Sequence, residues 1–194
     1  KNTESFSSFL SQEAENSLIY GPRLEVTTFK SRDGKMDPFG FDYFIFDKKL
    51  MSDWKESRFC IGLPSWDHWF PLVSMFNGRK IKKIITPFAL HITHTVSNNR
   101  SVIPFNIELI NQIINYIKPE DKTIKNIKSI KIIKLFNKFD LVQEYENILF
   151  EIENSKLLDD EKKLESLEKM AIFCDKLSSY VIQFLNQNSI HMKI

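Results

Sequence analysis

The chain has 194 residues, 42% of them apolar and 27% charged, with a formal net charge of +2. That length and balance suit one ordinary domain, or a small domain with an appendage; they exclude a disordered chain, and the charge gives no nucleic-acid signal. Two cysteines, Cys60 and Cys174, are too few for a disulfide framework and read as free thiols.

With no apolar run near the roughly 18 residues of a membrane span, the expected location is cytoplasmic. The sequence opens at Lys1 rather than Met, so excision from a longer chain is an expectation.

Taken in order, Phe6, Phe9, Leu10, Ala14 and Leu18 fall at helical spacing and predict a short helix over 5–18, closed by Gly21-Pro22. The alternation in 23–29 predicts a half-buried strand, followed by a polar turn over 31–35. Asp37-Pro38-Phe39-Gly40 reads as a second turn leading into a buried strand, Phe41 to Phe46. Asp42 is the one acid in that run, facing solvent or held by a structural hydrogen bond. A short helix or loop over 48–55 is expected to turn Leu50, Met51 and Trp54 inward.

Two of three tryptophans and three of four histidines lie between Trp66 and His94. Gly62 and Pro64 frame a turn, after which 66–77 predicts a helix with Trp69, Phe70, Val73 and Phe76 inward, Pro71 in its first turn and Gly78 as its stop. Asp67 stands between Trp66 and Trp69. As a helix N-cap it would be structural; as a carboxylate screened from water by two rings it would be reactive. Short strands over 80–85 and 88–90 lead to His91 and His94, which on a strand would point to opposite faces.

Past Asn98 glycine and tryptophan vanish and Ile, Lys, Asn and Glu dominate, which predicts a boundary: an α/β part over 1–98 and an all-helical region over 99–194. Ile107, Ile110, Ile113, Ile114 and Ile117 form one stripe. Lys125, Lys128, Lys131 and Lys134 read as a solvated basic side opposite isoleucines. A final helix over 159–187 is expected to bury Leu164, Leu167, Ala171, Cys174, Ser178, Val181 and Leu185 against a partner helix, with helix-mediated self-association as a corollary.

Three blocks, Phe39-Gly40-Phe41-Asp42-Tyr43-Phe44-Ile45-Phe46, Ile61-Gly62-Leu63-Pro64-Ser65-Trp66-Asp67-His68-Trp69 and Ala89-Leu90-His91-Ile92-Thr93-His94, occur in order. Together they resemble the C-terminal half of a glycosyltransferase-like family with a Gly-x-Asp-Tyr-Phe strand, a Trp-Asp-Asn-Trp segment and a His-x-x-His close. The resemblance spans about two fifths of the chain, residues 20–97, with His68 where the family pattern has Asn.

It implies a partial Rossmann-like α/β domain of the nucleotide-diphospho-sugar transferases, a nucleotide-sugar donor and a carbohydrate acceptor. Asp67 would be the base on the acceptor hydroxyl, and Trp66, Trp69, His68 and Asp42 would line the acceptor site. His91 or His94 would join a divalent cation, Mn or Mg. The family's Asp-x-Asp pair has no counterpart before Asp37. The alternative is a non-catalytic carbohydrate-binding or protein-interaction module derived from such an enzyme.

Overall fold

The computed structural model describes residues 5–31, 33–38, 41, 43–54, 57–61, 63–87, 89–93, 102–117, 127–136, 140–155 and 160–193. Among them the chain is mixed α/β, with two sheets and seven helices, one of them a 3₁₀ helix. Ser5 opens α1 (Phe6–Glu13), its Oγ accepting the Ser8 N–H at 3.1 Å. The helix does not run on to Leu18 as expected. Asn16 takes a left-handed φ of 51° and the chain enters β1 (Ser17–Tyr20). Every β1 residue is buried, so no polar alternation marks the strand in the sequence.

β2 (Arg23–Val26), β3 (Lys35–Asp37) and β6 (Ala89–Ile92) form one sheet in the order β3-β2-β6, with β2 and β6 parallel. β1, β4 (Phe44–Phe46), β5 (Lys80–Ile84) and β7 (Ile190–Met192) form the other, in the order β4-β1-β5-β7. Here β1, β5 and β7 are parallel and β4 is antiparallel. β7 corrects the expectation that everything past residue 99 is helical. Its Ile-His-Met run was too short to separate from the preceding helix by periodicity.

The 3₁₀ helix (Lys48–Asp53) buries Leu50 and half-buries Trp54, but Met51, expected inside, is 58% exposed. Successive residues of so short a helix face different ways, so three inward side chains cannot be accommodated. α2 (Trp66–Phe76) then packs on β1 and β5. Its end forms a paired cap: Gly78, at φ 78°, donates to Met75 O and Arg79 donates to Ser74 O. Pro71 lies beyond the first turn, where it deprives the Asp67 carbonyl of its helical donor.

α3 (Ile103–Ile117), α4 (Ile127–Phe136), α5 (Leu141–Ser155) and α6 (Asp160–Asn188) complete the chain. One cluster of buried side chains runs from Leu18, Tyr20 and Ile81 of the sheet through Leu72 and Phe76 of α2 to Leu109, Phe136, Tyr145, Phe173 and Leu185 of the later helices. The described residues on either side of the expected boundary therefore share a core. A smaller cluster of Ala14, Ile19 and Ile84 covers the other face of the sheet.

In α6 the buried row is Ser166, Met170, Phe173, Cys174, Leu177, Tyr180, Val181, Phe184 and Leu185. Cys174, Val181 and Leu185 were expected there. Leu164 (59% exposed) and Leu167 (57%) face outward instead; Leu167 lies about five whole turns from buried Leu185, so the packing around the first turns of α6, and not helix phase, leaves it uncovered.

Candidate functional site

Ser65 holds the N-cap position of α2 with a left-handed φ of 70°, and it does not cap with its side chain. Its Oγ instead donates to Asn106 Oδ1 of α3 at 2.9 Å, and Ser178 Oγ of α6 donates to the same oxygen at 3.1 Å. This buried hub ties the start of α2 to two later helices. Asp67 is thus not the N-cap, contrary to the structural expectation. It sits half-buried in the first turn, where unpaired N–H groups favour negative charge, and Oδ1 accepts from His68 N at 3.1 Å.

Around it lies an aromatic array. Trp66 meets Phe44 (ring centroids 5.4 Å apart) and Phe70 (5.3 Å) edge to face. Phe70 stacks on Trp54 at 4.4 Å, and Phe46 abuts Trp54 at 4.8 Å. Trp66 remains half-buried, and Ile61 and Leu63 before it are exposed. Trp69 is inward, as its helical spacing predicts, buried against Phe59 and Tyr116; it offers no ring face outward and so does not line the acceptor site that the resemblance implies. It lies two residues past Asp67, about 200° round the helix, and so on the core side rather than beside that carboxylate.

His68 turns its ring edge toward Phe41 at 5.9 Å, and its Nδ1 is buried without a hydrogen-bond partner among the described residues. Phe41 also touches Tyr20 at 4.7 Å and lies 5.6 Å below Lys83 Nζ. Lys83 was missed by sequence reasoning. Its ammonium donates to Pro38 O at 3.1 Å and to Asn186 Oδ1 at 2.6 Å, and burial pulls its pKa down, partly offset by Asp37. The signal was available: strand alternation puts Lys83 on the same face as Ile81, toward the core.

His91 sits elsewhere, on β6 of the three-stranded sheet. It is the cross-strand partner of Glu25, and its Nδ1 lies 3.0 Å from Glu25 Oε2. Glu25 Oε1 accepts from Arg23 Nε at 2.6 Å, and Arg23 reaches Asp37 at 3.3 Å. His91, then Arg23, hold the Glu25 carboxyl below the usual range. Asp42 and His94 fall outside the described residues.

For a divalent cation the described donor set does not suffice. Both Glu25 oxygens are already engaged, and no group of three His, Cys, Asp or Glu able to hold an ion occurs among the described residues. No helix among them is long and apolar enough to cross a membrane. Compared with protein-family models, curated proteins and solved structures, the chain matches none of them.

Proposed function

We propose that the chain is the acceptor-side part of a glycosyltransferase-like protein, with the carbohydrate bound at the N-terminal end of α2. The observation behind this reading is the meeting of two of the three motif blocks. Phe41 and Phe44 of the first pack on His68 and Trp66 of the second, across more than 20 intervening positions. A half-buried indole offers an apolar face to a sugar ring, and the carboxylate beside it accepts from sugar hydroxyls.

In a transfer reaction Asp67 takes the proton of the acceptor hydroxyl as its oxygen attacks the anomeric carbon of a nucleotide-sugar. The diphosphate leaves from the opposite side. A Mn or Mg ion, when bound in such enzymes, neutralises that diphosphate. The described residues do not compose its site, so no step here depends on it. On this reading the parallel β1-β5-β7 strands belong to a partial Rossmann-like domain.

The test is intrinsic tryptophan fluorescence of the chain titrated with a panel of oligosaccharides, followed by transfer assays with nucleotide-sugars. Binding that is lost in Trp66→Ala and turnover that is lost in Asp67→Asn, with binding kept, are the expected results. Binding without turnover in the unaltered protein identifies the non-catalytic module instead. A panel that leaves the fluorescence unmoved at millimolar sugar refutes both.

A further inference from the structure

The stretch from Lys122 to Lys138 carries six lysines and no Asp or Glu, in a chain whose net charge is only +2. α4 lies inside it. Its isoleucines and lysines each recur every third residue, and a step of three on an α-helix moves the side chain back by about 60°. Lys131 and Lys134 are exposed, as expected of a solvated basic side, but such spacing does not set the isoleucines squarely opposite them; Lys125 and the side chain of Lys128 lie outside the described residues. Ile133 and Phe136 are buried, while Ile130 (43% exposed) and Leu135 (41%) share the outer face with exposed Lys131 and Lys134.

Exposed aliphatics occur elsewhere on this chain, so what sets this face apart is that Ile130 and Leu135 stand among exposed lysines, a mixture from which a surface built for nucleic acid phosphates gains little. Beside α4 a groove of about 340 Å³ is lined by apolar Met75, Ile132 and Leu135 together with basic Arg79, Lys80 and Lys131. Arg79 is committed to Asp53. Lys80, Lys131 and Lys134 are exposed and form no ion pair with the described residues. Mixed lysine and aliphatic side chains on one helical face, next to a groove lined by both kinds, suit an anionic bilayer, whose phosphates lie outside and whose glycerol and first acyl carbons lie beneath.

We propose that this face docks on an anionic phospholipid surface. Lys80, Lys131 and Lys134 meet lipid phosphates, and Ile130 and Leu135 enter the headgroup boundary. The docking is peripheral and reversible, since one short helical face supplies it.

The test is flotation of the full chain with phosphatidylcholine vesicles, with and without about one third phosphatidylglycerol, at about 0.1 M salt. Binding is expected to the anionic vesicles alone and to fall steeply by about 0.5 M salt. Neutralising one lysine near such a surface weakens binding about fivefold, so Lys131→Gln with Lys134→Gln is expected to lose about 25-fold. Ile130→Asn with Leu135→Asn, which keeps every charge, is expected to weaken binding as well. All four side chains are exposed, and unchanged melting of both variants checks that the fold is intact. Equal binding to neutral vesicles, indifference to the lysine pair, or retention of full affinity in the Ile130/Leu135 variant overturns the proposal. So does salt-sensitive binding to duplex DNA by a chain that ignores vesicles, which would assign the lysines to nucleic acid.

Discussion

Replacing Asn106 by Ala removes one oxygen that two hydroxyls share. Asn106 is 2% exposed, and its Oδ1 accepts from Ser65 at 2.9 Å and Ser178 at 3.1 Å. Two such bonds are worth about 1 kcal/mol each in net stability. Ser65 is buried and cannot turn to water once its acceptor is gone, so an orphaned hydroxyl adds roughly 1–2 kcal/mol, whereas half-buried Ser178 adds little. The expected cost is about 3–4 kcal/mol. In a chain of 194 residues that lowers the melting temperature by roughly 6–16 °C.

Urea unfolding followed by circular dichroism and tryptophan fluorescence measures it. The cycle with Ser65→Ala carries the decisive term: in that background the orphan no longer exists, and Asn106→Ala is expected to cost at least 1 kcal/mol less. Strict additivity of the two substitutions, or an Asn106→Ala protein within about 0.5 kcal/mol of the parent, refutes the hub.

Three further outcomes are expected. Burial pushes the Cys174 thiol from 9.0 up to about 11, so below pH 9 both folded and unfolded chains hold the proton, and above it the unfolded chain releases it first. Stability therefore falls as pH rises from 9 toward 11, by on the order of 1–3 kcal/mol, and Cys174→Ala flattens that slope in paired denaturation curves. Lys83 works in the opposite sense, its lowered pKa making stability rise toward pH 10.5, so the paired comparison is needed to separate the two. Asp53→Ala strands Arg79, whose Nε and Nη2 grip the two carboxylate oxygens at 2.7 and 2.9 Å, and is expected to cost about 2 kcal/mol by urea midpoint. Gly21→Ala places a Cβ 2.0 Å from Tyr43 Oη and 2.9 Å from Ile84 O; a loss of about 1–3 kcal/mol is expected, partly recovered by Tyr43→Phe but not fully, because the backbone oxygen cannot withdraw.

Local chemistry carries its own instructions, and these were legible. Gly78 was readable as the stop of α2 because positive φ is open to glycine at little cost, and the apolar spacing of 107–117 follows from the fixed period of a helix; of the strand expected over 23–29 only the first four residues form β2, and their burial does not alternate. The meeting of aromatic residues near Trp66 was legible only as a concentration in sequence.

Tertiary structure decided the rest. How completely each aromatic of α2 is covered depends on what packs there, so Trp69, inward by its spacing, is sealed by Phe59 and Tyr116 while Trp66, three residues before it, stays half-buried. β1 becomes a strand between β4 and β5, and β7 at the sheet edge beside β5, because those neighbours complete their hydrogen bonds, a partnership that four- and three-residue segments cannot announce alone. The Ser65-Asn106-Ser178 hub joins positions 41 and 72 residues apart, and the pairing of His91 with Glu25 arises from the register of two parallel strands. Sequence determines which side chains can accept, donate or exclude water; only the packed chain determines which of them meet, because contact energies depend on distance and not on order along the chain.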